Sequence, residues 1–128
     1  MSESASPYLR FVGRVLLAIL FIYAGWNKIG GYSGTQAFME SQGVPGMLLP
    51  LVILLELGGG LAVLLGIFTR WSALALAVFC ILAAILFHSP ADPKQITGFL
   101  KDISIAGGFL VLAAAGPGAF ALESLRRR

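Results

Sequence analysis

Residues 48–66, LLPLVILLELGGGLAVLLG, decide the fold. The stretch is apolar and long enough to cross a bilayer, since about 20 helical residues span the roughly 30 Å hydrocarbon core. One carboxylate, Glu56, lies near its middle, where a charge costs roughly 2.5–3.5 kcal/mol unless it finds a partner. Gly59 and Gly60 follow on the same helix face, so another helix or a ligand can approach Glu56 closely. We therefore expect the other helices to be arranged around this acid.

The composition is that of an integral membrane protein. Hydrophobic residues make up 58% of the 128, charged residues 12%, and the mean hydropathy is +0.89, whereas soluble domains carry about 25% charged residues. The first apolar run is expected to be a spanning helix, because no small-residue cleavage site follows it. The single cysteine, Cys80, can form neither an intrachain disulfide nor a Cys-x-x-Cys pair, and we interpret it as a small packing residue.

Four apolar runs predict an all-α membrane protein. We expect an antiparallel bundle of four transmembrane helices near residues 8–29, 48–66, 71–88 and 98–115. A short amphipathic segment, 34–42, lies between the first two spans and should form an interfacial helix, since it is too short to cross. Thr69 is expected to be the N-cap of the third span. Residues 1–7 are predicted to be a cytoplasmic tail, 8–118 the membrane domain, and 119–128 a basic cytoplasmic tail.

The basic residues predict the orientation. One end of the bundle would carry six of the nine, namely Arg10, Arg14, Arg70, Arg126, Arg127 and Arg128. The other end would carry Lys28, Lys94 and Lys101. The positive-inside rule then predicts that both termini of this multi-pass membrane protein lie in the cytoplasm. The net charge of +3 is thereby attributed to membrane orientation, and no nucleic-acid partner is expected.

Polar side chains from all four spans are predicted to meet in the outer half of the bundle, where helix bundles build ligand sites. Glu56 should face the interior and pair with Lys28 or, as second choice, with Lys101. The other members of this predicted polar network are His88, Asp102, Asn27 and Trp26. Helix packing is assigned to Gly59, Gly60, Gly107 and Gly108. Arg14 lies on the same face of the first span as Lys28, so both could point into the bundle, but we expect Arg14 to snorkel to the head groups from its end of the span.

This polar network allows more than one chemistry. Glu56, His88 and Trp26 together could hold a quinone head group, and the same residues could form a satisfied network between helices. One histidine with scattered carboxylates is too few for a metal site, so none is predicted. No self-contained catalytic motif is present, and any enzymatic role would be that of a subunit in a larger complex.

Several motifs resemble the DoxX family of bacterial inner-membrane proteins. They occur in the family's order at 13–17 (GRVLL), 24–28 (AGWNK), 43–45 (GVP), 56–60 (ELGGG), 66–70 (GIFTR), 87–88 (FH) and 99–118 (FLKD, GG and GPG in turn). The resemblance covers roughly residues 10–118. Asp102 departs from the family pattern, which more often has asparagine. The resemblance implies a link to membrane redox chemistry, since relatives occur in a thiosulfate:quinone oxidoreductase and in oxidative-stress complexes, and more distant ones are eukaryotic cargo receptors.

Three functions follow as hypotheses. The first is a redox-associated accessory subunit that binds a quinone or lipid-like molecule in the outer-half pocket, with no covalent cofactor. The second is a proton-coupled small-solute exporter, which is disfavoured because small multidrug transporters carry their acid in the first span and Glu56 lies in the second. The third is a non-catalytic, chaperone-like membrane partner. The expected partners are the lipid bilayer, redox proteins and further copies of this chain, associating through small-residue faces.

Overall fold

The computed structural model describes residues 5–125, and all the regular structure in that range is helical. The helices are α1 (Ser6–Gly30), α2 (Tyr32–Ser41), α3 (Gly46–Leu65), α4 (Thr69–Phe87), α5 (Ile96–Ala115) and α6 (Leu122–Leu125). The long helices α1, α3, α4 and α5 are each long and apolar enough to cross a membrane. The outermost residues of the two predicted tails, 1–4 and 126–128, lie outside the described range.

The four long helices form the predicted bundle. Helix α1 packs on α3, α3 on α4, and α4 on α5, with α5 returning to α1, so chain neighbours are also spatial neighbours. Its core is built from small and aromatic side chains such as Ala18, Phe21, Leu76, Ala77 and Phe109. Large apolar side chains cover the outside, as a bilayer requires, since lipid and not water surrounds the helices.

The bundle has two ends. The termini end contains the start of α1, the end of α3, the start of α4 and the end of α5. The far end contains the end of α1, helix α2, the start of α3, the end of α4 and the start of α5. All the predicted outer-half residues belong to the far end or to the helix turns leading from it.

The chain after α5 closes the termini end. Residues 119–125, assigned from sequence to a basic tail, pack back on the bundle, and Ala121 is buried against Gly66. The N–H of Glu123 donates to the Gly66 carbonyl at 3.0 Å, and its Oε1 accepts the Thr69 N–H at 3.1 Å. The predicted N-cap at Thr69 is therefore wrong. Thr69 is the first helical residue, and a carboxylate from the end of the chain takes over the capping role.

Helix α2 is the predicted short helix between the first two spans. It begins at Tyr32 and lies across the far end. Met39 is buried, and the ring of Phe38 stacks on Phe87 with centroids 5.6 Å apart. Gln36 also donates from its side-chain amide to the Gly46 carbonyl at 3.3 Å. These contacts join α2 to the end of α4 and the start of α3.

Candidate functional site

A buried ion pair joins α1 to α3 near the far end. The Nζ atom of Lys28 lies 2.7 Å from Oε1 of Glu56, with 27% of the lysine side chain and 3% of the glutamate side chain exposed. Lys28 lies in the last turn of α1, where a cation complements the helix dipole. It is the partner that the sequence favours. Lys101, the second choice, is exposed and forms no ion pair within residues 5–125.

Glu56 lies in a π-helical turn, Leu54–Gly58, within α3. Such turns are rare and frequently occur at functional sites. This turn was not predicted from the sequence, although the glycine run that follows it marks a place where helix geometry is easily altered. The turn is consistent with Glu56 being more than a packing residue.

Glycines bring the neighbouring helices close to α3 around Glu56. A Cβ atom on Gly60 would lie 3.0 Å from the Ile22 side chain on α1, and one on Gly59 would lie 3.3 Å from Leu76 on α4. Gly25 on α1 was not predicted, yet a Cβ there would lie 3.0 Å from the backbone nitrogen of Leu57. Any side chain at these positions would push the helices apart.

A second polar pair joins α4 to α5 at the far end. The Nε2 atom of His88 lies 3.5 Å from Oδ2 of Asp102, and the side chains are 38% and 24% exposed. Gly98, which the sequence analysis did not single out, makes room for the imidazole. A Cβ at Gly98 would lie 2.8 Å from Nδ1 of His88, so the ring can lie against α5 only because this residue has no side chain.

Three residues that were predicted to line the polar network or to pack helices do not lie where the prediction put them. Trp26 and Asn27 are exposed and do not line the interior, because successive helical residues differ by about 100° and Gly25 and Lys28 are the residues of this turn that contact α3. Gly107 is also exposed, and a Cβ there would meet nothing within 4 Å. Its neighbour Gly108 does face α1, where a Cβ would lie 3.3 Å from Leu17.

The expectation that Arg14 snorkels is wrong. Its side chain is only 1% exposed at the termini end and donates to the carbonyls of Pro117 at 2.9 Å, Leu64 at 3.3 Å and Phe120. Leu64 lies in the last turn of α3, where carbonyls lack helical partners. The guanidinium group therefore ties the end of α3 to the closing segment.

Two cavities lie at the termini end of the part of the chain that the structure describes. One of about 880 Å³ opens beside Arg10, Arg70 and Trp71, and a smaller one of about 410 Å³ lies between Ile67 and Leu125. Within residues 5–125, no group of three or more histidine, cysteine, aspartate or glutamate side chains could hold a metal ion.

Sequence comparison identifies relatives over most of the chain. The DoxX family model matches residues 9–89. Inner membrane protein YqjF of Escherichia coli (strain K12) is 56% identical over 115 residues, which cover 89% of this chain and 88% of the relative. Inner membrane protein YphA of the same organism is 34% identical over 129 residues, covering 94% and 91%. No solved structure matches the chain.

Proposed function

Because the chain belongs to the DoxX family of inner-membrane proteins, we propose that it is a redox-associated accessory subunit that binds a quinone head group at the far end. One observation carries this proposal. In both polar pairs the acid is the more buried partner, and the nitrogen donor is the more exposed one. A head group arriving from the bilayer would therefore meet donors before it met carboxylates.

Quinone chemistry suits this arrangement. The two carbonyl oxygens of a quinone accept hydrogen bonds, and its apolar tail can stay in the lipid beside the helices. The Lys28 ammonium has three N–H groups, of which Glu56 can occupy one. His88, whose Nε2 lies 3.5 Å from Asp102, can release this carboxylate and donate an N–H to a quinone carbonyl. The electron carriers would come from partner proteins, since a chain with one cysteine supplies neither a dithiol nor the ligands of an iron–sulfur cluster.

The proposal includes an orientation and an assembly. Both termini would lie in the cytoplasm, so the quinone would bind in the outer half of the membrane. Redox partner proteins and further copies of the chain would contact the exposed apolar faces. The exporter hypothesis has less support, because the Lys28 ammonium 2.7 Å from Glu56 neutralises the acid that would have to carry the proton. A non-catalytic partner would need the polar pairs only for helix register, and it would bind no quinone.

Fluorescence tests the proposal. Trp26 is exposed two residues before Lys28, and a Trp71→Phe variant would leave it as the only tryptophan. We expect a short-chain ubiquinone analogue to quench Trp26 saturably. Lys28→Met and His88→Ala should each raise the Kd roughly tenfold or more, the loss expected for one hydrogen bond to a charged or polar donor.

The control is Lys94→Met, which removes an exposed lysine from the loop between α4 and α5. This variant should bind the analogue like the parent protein. If Lys28→Met were to misfold, His88→Ala would still test the site, because the His88 side chain is partly exposed and its removal leaves no deeply buried charge unpaired. Equal Kd values in all four proteins, or quenching that never saturates, would rule out the far-end quinone site.

A further inference from the structure

The cavity at the termini end has no role in quinone binding at the far end. Its volume is about 880 Å³, and it is lined by Arg10, Phe68, Arg70, Trp71, Glu123 and residues 115–119. It lies between the start of α1, the start of α4 and the turn that follows α5. Two arginines from different helices therefore face one open space.

Both guanidinium groups lie against the same glycine turn. A Cβ on Gly116 would lie 3.1 Å from Nε and Nη2 of Arg70, and one on Gly118 would lie 3.4 Å from Nε of Arg10. Both glycines have positive φ angles, +82° and +85°, which glycine adopts without strain. Both guanidinium groups therefore lie against glycines that line the same cavity.

The two arginines still have hydrogen atoms to donate. Arg10 uses Nη2 for the carbonyls of Ala115 and Gly116, and its buried Nε has no partner within residues 5–125. Arg70 is exposed and takes part in no hydrogen bond or ion pair in that range. Guanidinium forks with unused N–H groups at one cavity match the oxygens of a phosphate.

The charge balance of the lining favours a monoanion. Glu123 also lines the cavity, but its Oε1 accepts the Thr69 N–H at the start of α4. The lining thus carries two arginines and one carboxylate, which leaves one net positive charge. A phosphodiester, which carries a single negative charge, would neutralise it.

The residues at the mouth of the cavity indicate which kind of molecule carries the phosphate. Phe68 and Trp71, at the mouth of the cavity, are 68% and 75% exposed. Aromatic residues at helix ends typically lie at the level of the lipid head groups. We propose that this cavity binds the phosphodiester head group of an anionic phospholipid, held between Arg10 and Arg70 with Phe68 and Trp71 against its glycerol and upper acyl region.

The test is lipid-dependent stability of the full chain in detergent. We expect phosphatidylglycerol to raise the melting temperature more than phosphatidylcholine at equal concentration, and native mass spectrometry to detect the bound anionic lipid. Arg70→Gln should lose most of this difference and bind phosphatidylglycerol roughly tenfold more weakly or worse. Lys94→Gln, which removes an exposed cation at the far end, should behave like the parent protein.

Other outcomes would overturn the proposal. Equal shifts with phosphatidylcholine and phosphatidylglycerol would show that no anionic head group is recognised. An equal shift with soluble glycerol 3-phosphate would assign the cavity to a soluble anion. An unchanged phosphatidylglycerol shift in Arg70→Gln would remove the arginine pair from the site. Arg70 forms no internal bond that its loss would break within the described range, so this variant should fold.

Discussion

Removing the cation of the Lys28–Glu56 pair should destabilise the bundle more than removing the acid. Lys28→Met would leave the Glu56 carboxylate, with a side chain only 3% exposed, without a counter-charge. Glu56→Gln would leave Lys28, which is 27% exposed, and its flexible stem can carry the ammonium to the head groups. Lys28→Met therefore leaves an unpaired charge in a buried place, whereas Glu56→Gln leaves one in a partly exposed place.

The exposed fractions of the two side chains determine how much stability each variant should lose. Breaking a buried ion pair on one side costs about 3–5 kcal/mol, and proton uptake by the stranded carboxylate at neutral pH limits the loss to about 3–4 kcal/mol. We expect a loss near this limit for Lys28→Met. For Glu56→Gln we expect about 1–2 kcal/mol, the cost of a hydrogen bond to a charged group. The double variant strands no charge and should lose only about 2 kcal/mol, which leaves a coupling energy of roughly 2–4 kcal/mol.

The assay is unfolding in mixed micelles of a mild detergent and sodium dodecyl sulfate, followed by far-UV circular dichroism. A parallel cycle of Glu56→Gln with Lys101→Met is the control, and it should be additive within about 0.5 kcal/mol because Lys101 is outside the pair. Additive effects in the Lys28 cycle would refute the pairing. A larger loss in Glu56→Gln than in Lys28→Met would refute the argument from exposure.

Three further predictions concern other parts of the bundle. Arg14→Met removes the donor to three carbonyls and should lower the free energy of unfolding by roughly 3–5 kcal/mol; a loss below about 1 kcal/mol in the same assay would contradict its capping role. Gly60→Ala should lower the free energy of unfolding by about 1–3 kcal/mol, because the added methyl group pushes α1 away from α3. Gly107→Ala should raise it by up to about 1 kcal/mol, because a Cβ there meets nothing within 4 Å. Equal losses in the two variants would contradict the packing described. Single cysteines at Ser41 and Ala91 should react with an impermeant maleimide from the periplasmic side, and labelling only from the cytoplasm would reverse the proposed orientation.

Hydropathy alone located the four spans to within two residues at each end. It could do so because the bilayer fixes both the length and the polarity of a spanning helix. The Lys28–Glu56 contact could also be predicted from the sequence. A carboxylate in an apolar run needs a cation, and the run of glycines beside Glu56 indicates the face on which that cation must approach.

The hydrogen-bond partners of Arg14 could not be predicted from the sequence. Its three acceptors lie 50, 103 and 106 residues further along the chain, and all are backbone carbonyls, which carry no side-chain signature. Snorkelling was the simpler expectation for an arginine near a helix end. The position of Trp26 was missed for a different reason. Its chemistry suited a quinone pocket, but its place on the helix wheel turns it away from Lys28.

The two ends of the bundle satisfy their polar groups in different ways, and this difference bears on function. At the termini end, Arg10 and Arg14 donate to backbone carbonyls, which cannot move without unwinding a helix or a turn. At the far end, the two ion pairs are between side chains of neighbouring helices, and these can exchange one partner for another by changing rotamers. A ligand carbonyl can therefore take an N–H from Lys28 or His88 while the helices stay in place. Substitutions of Arg14 should accordingly act on stability, and His88→Ala on binding.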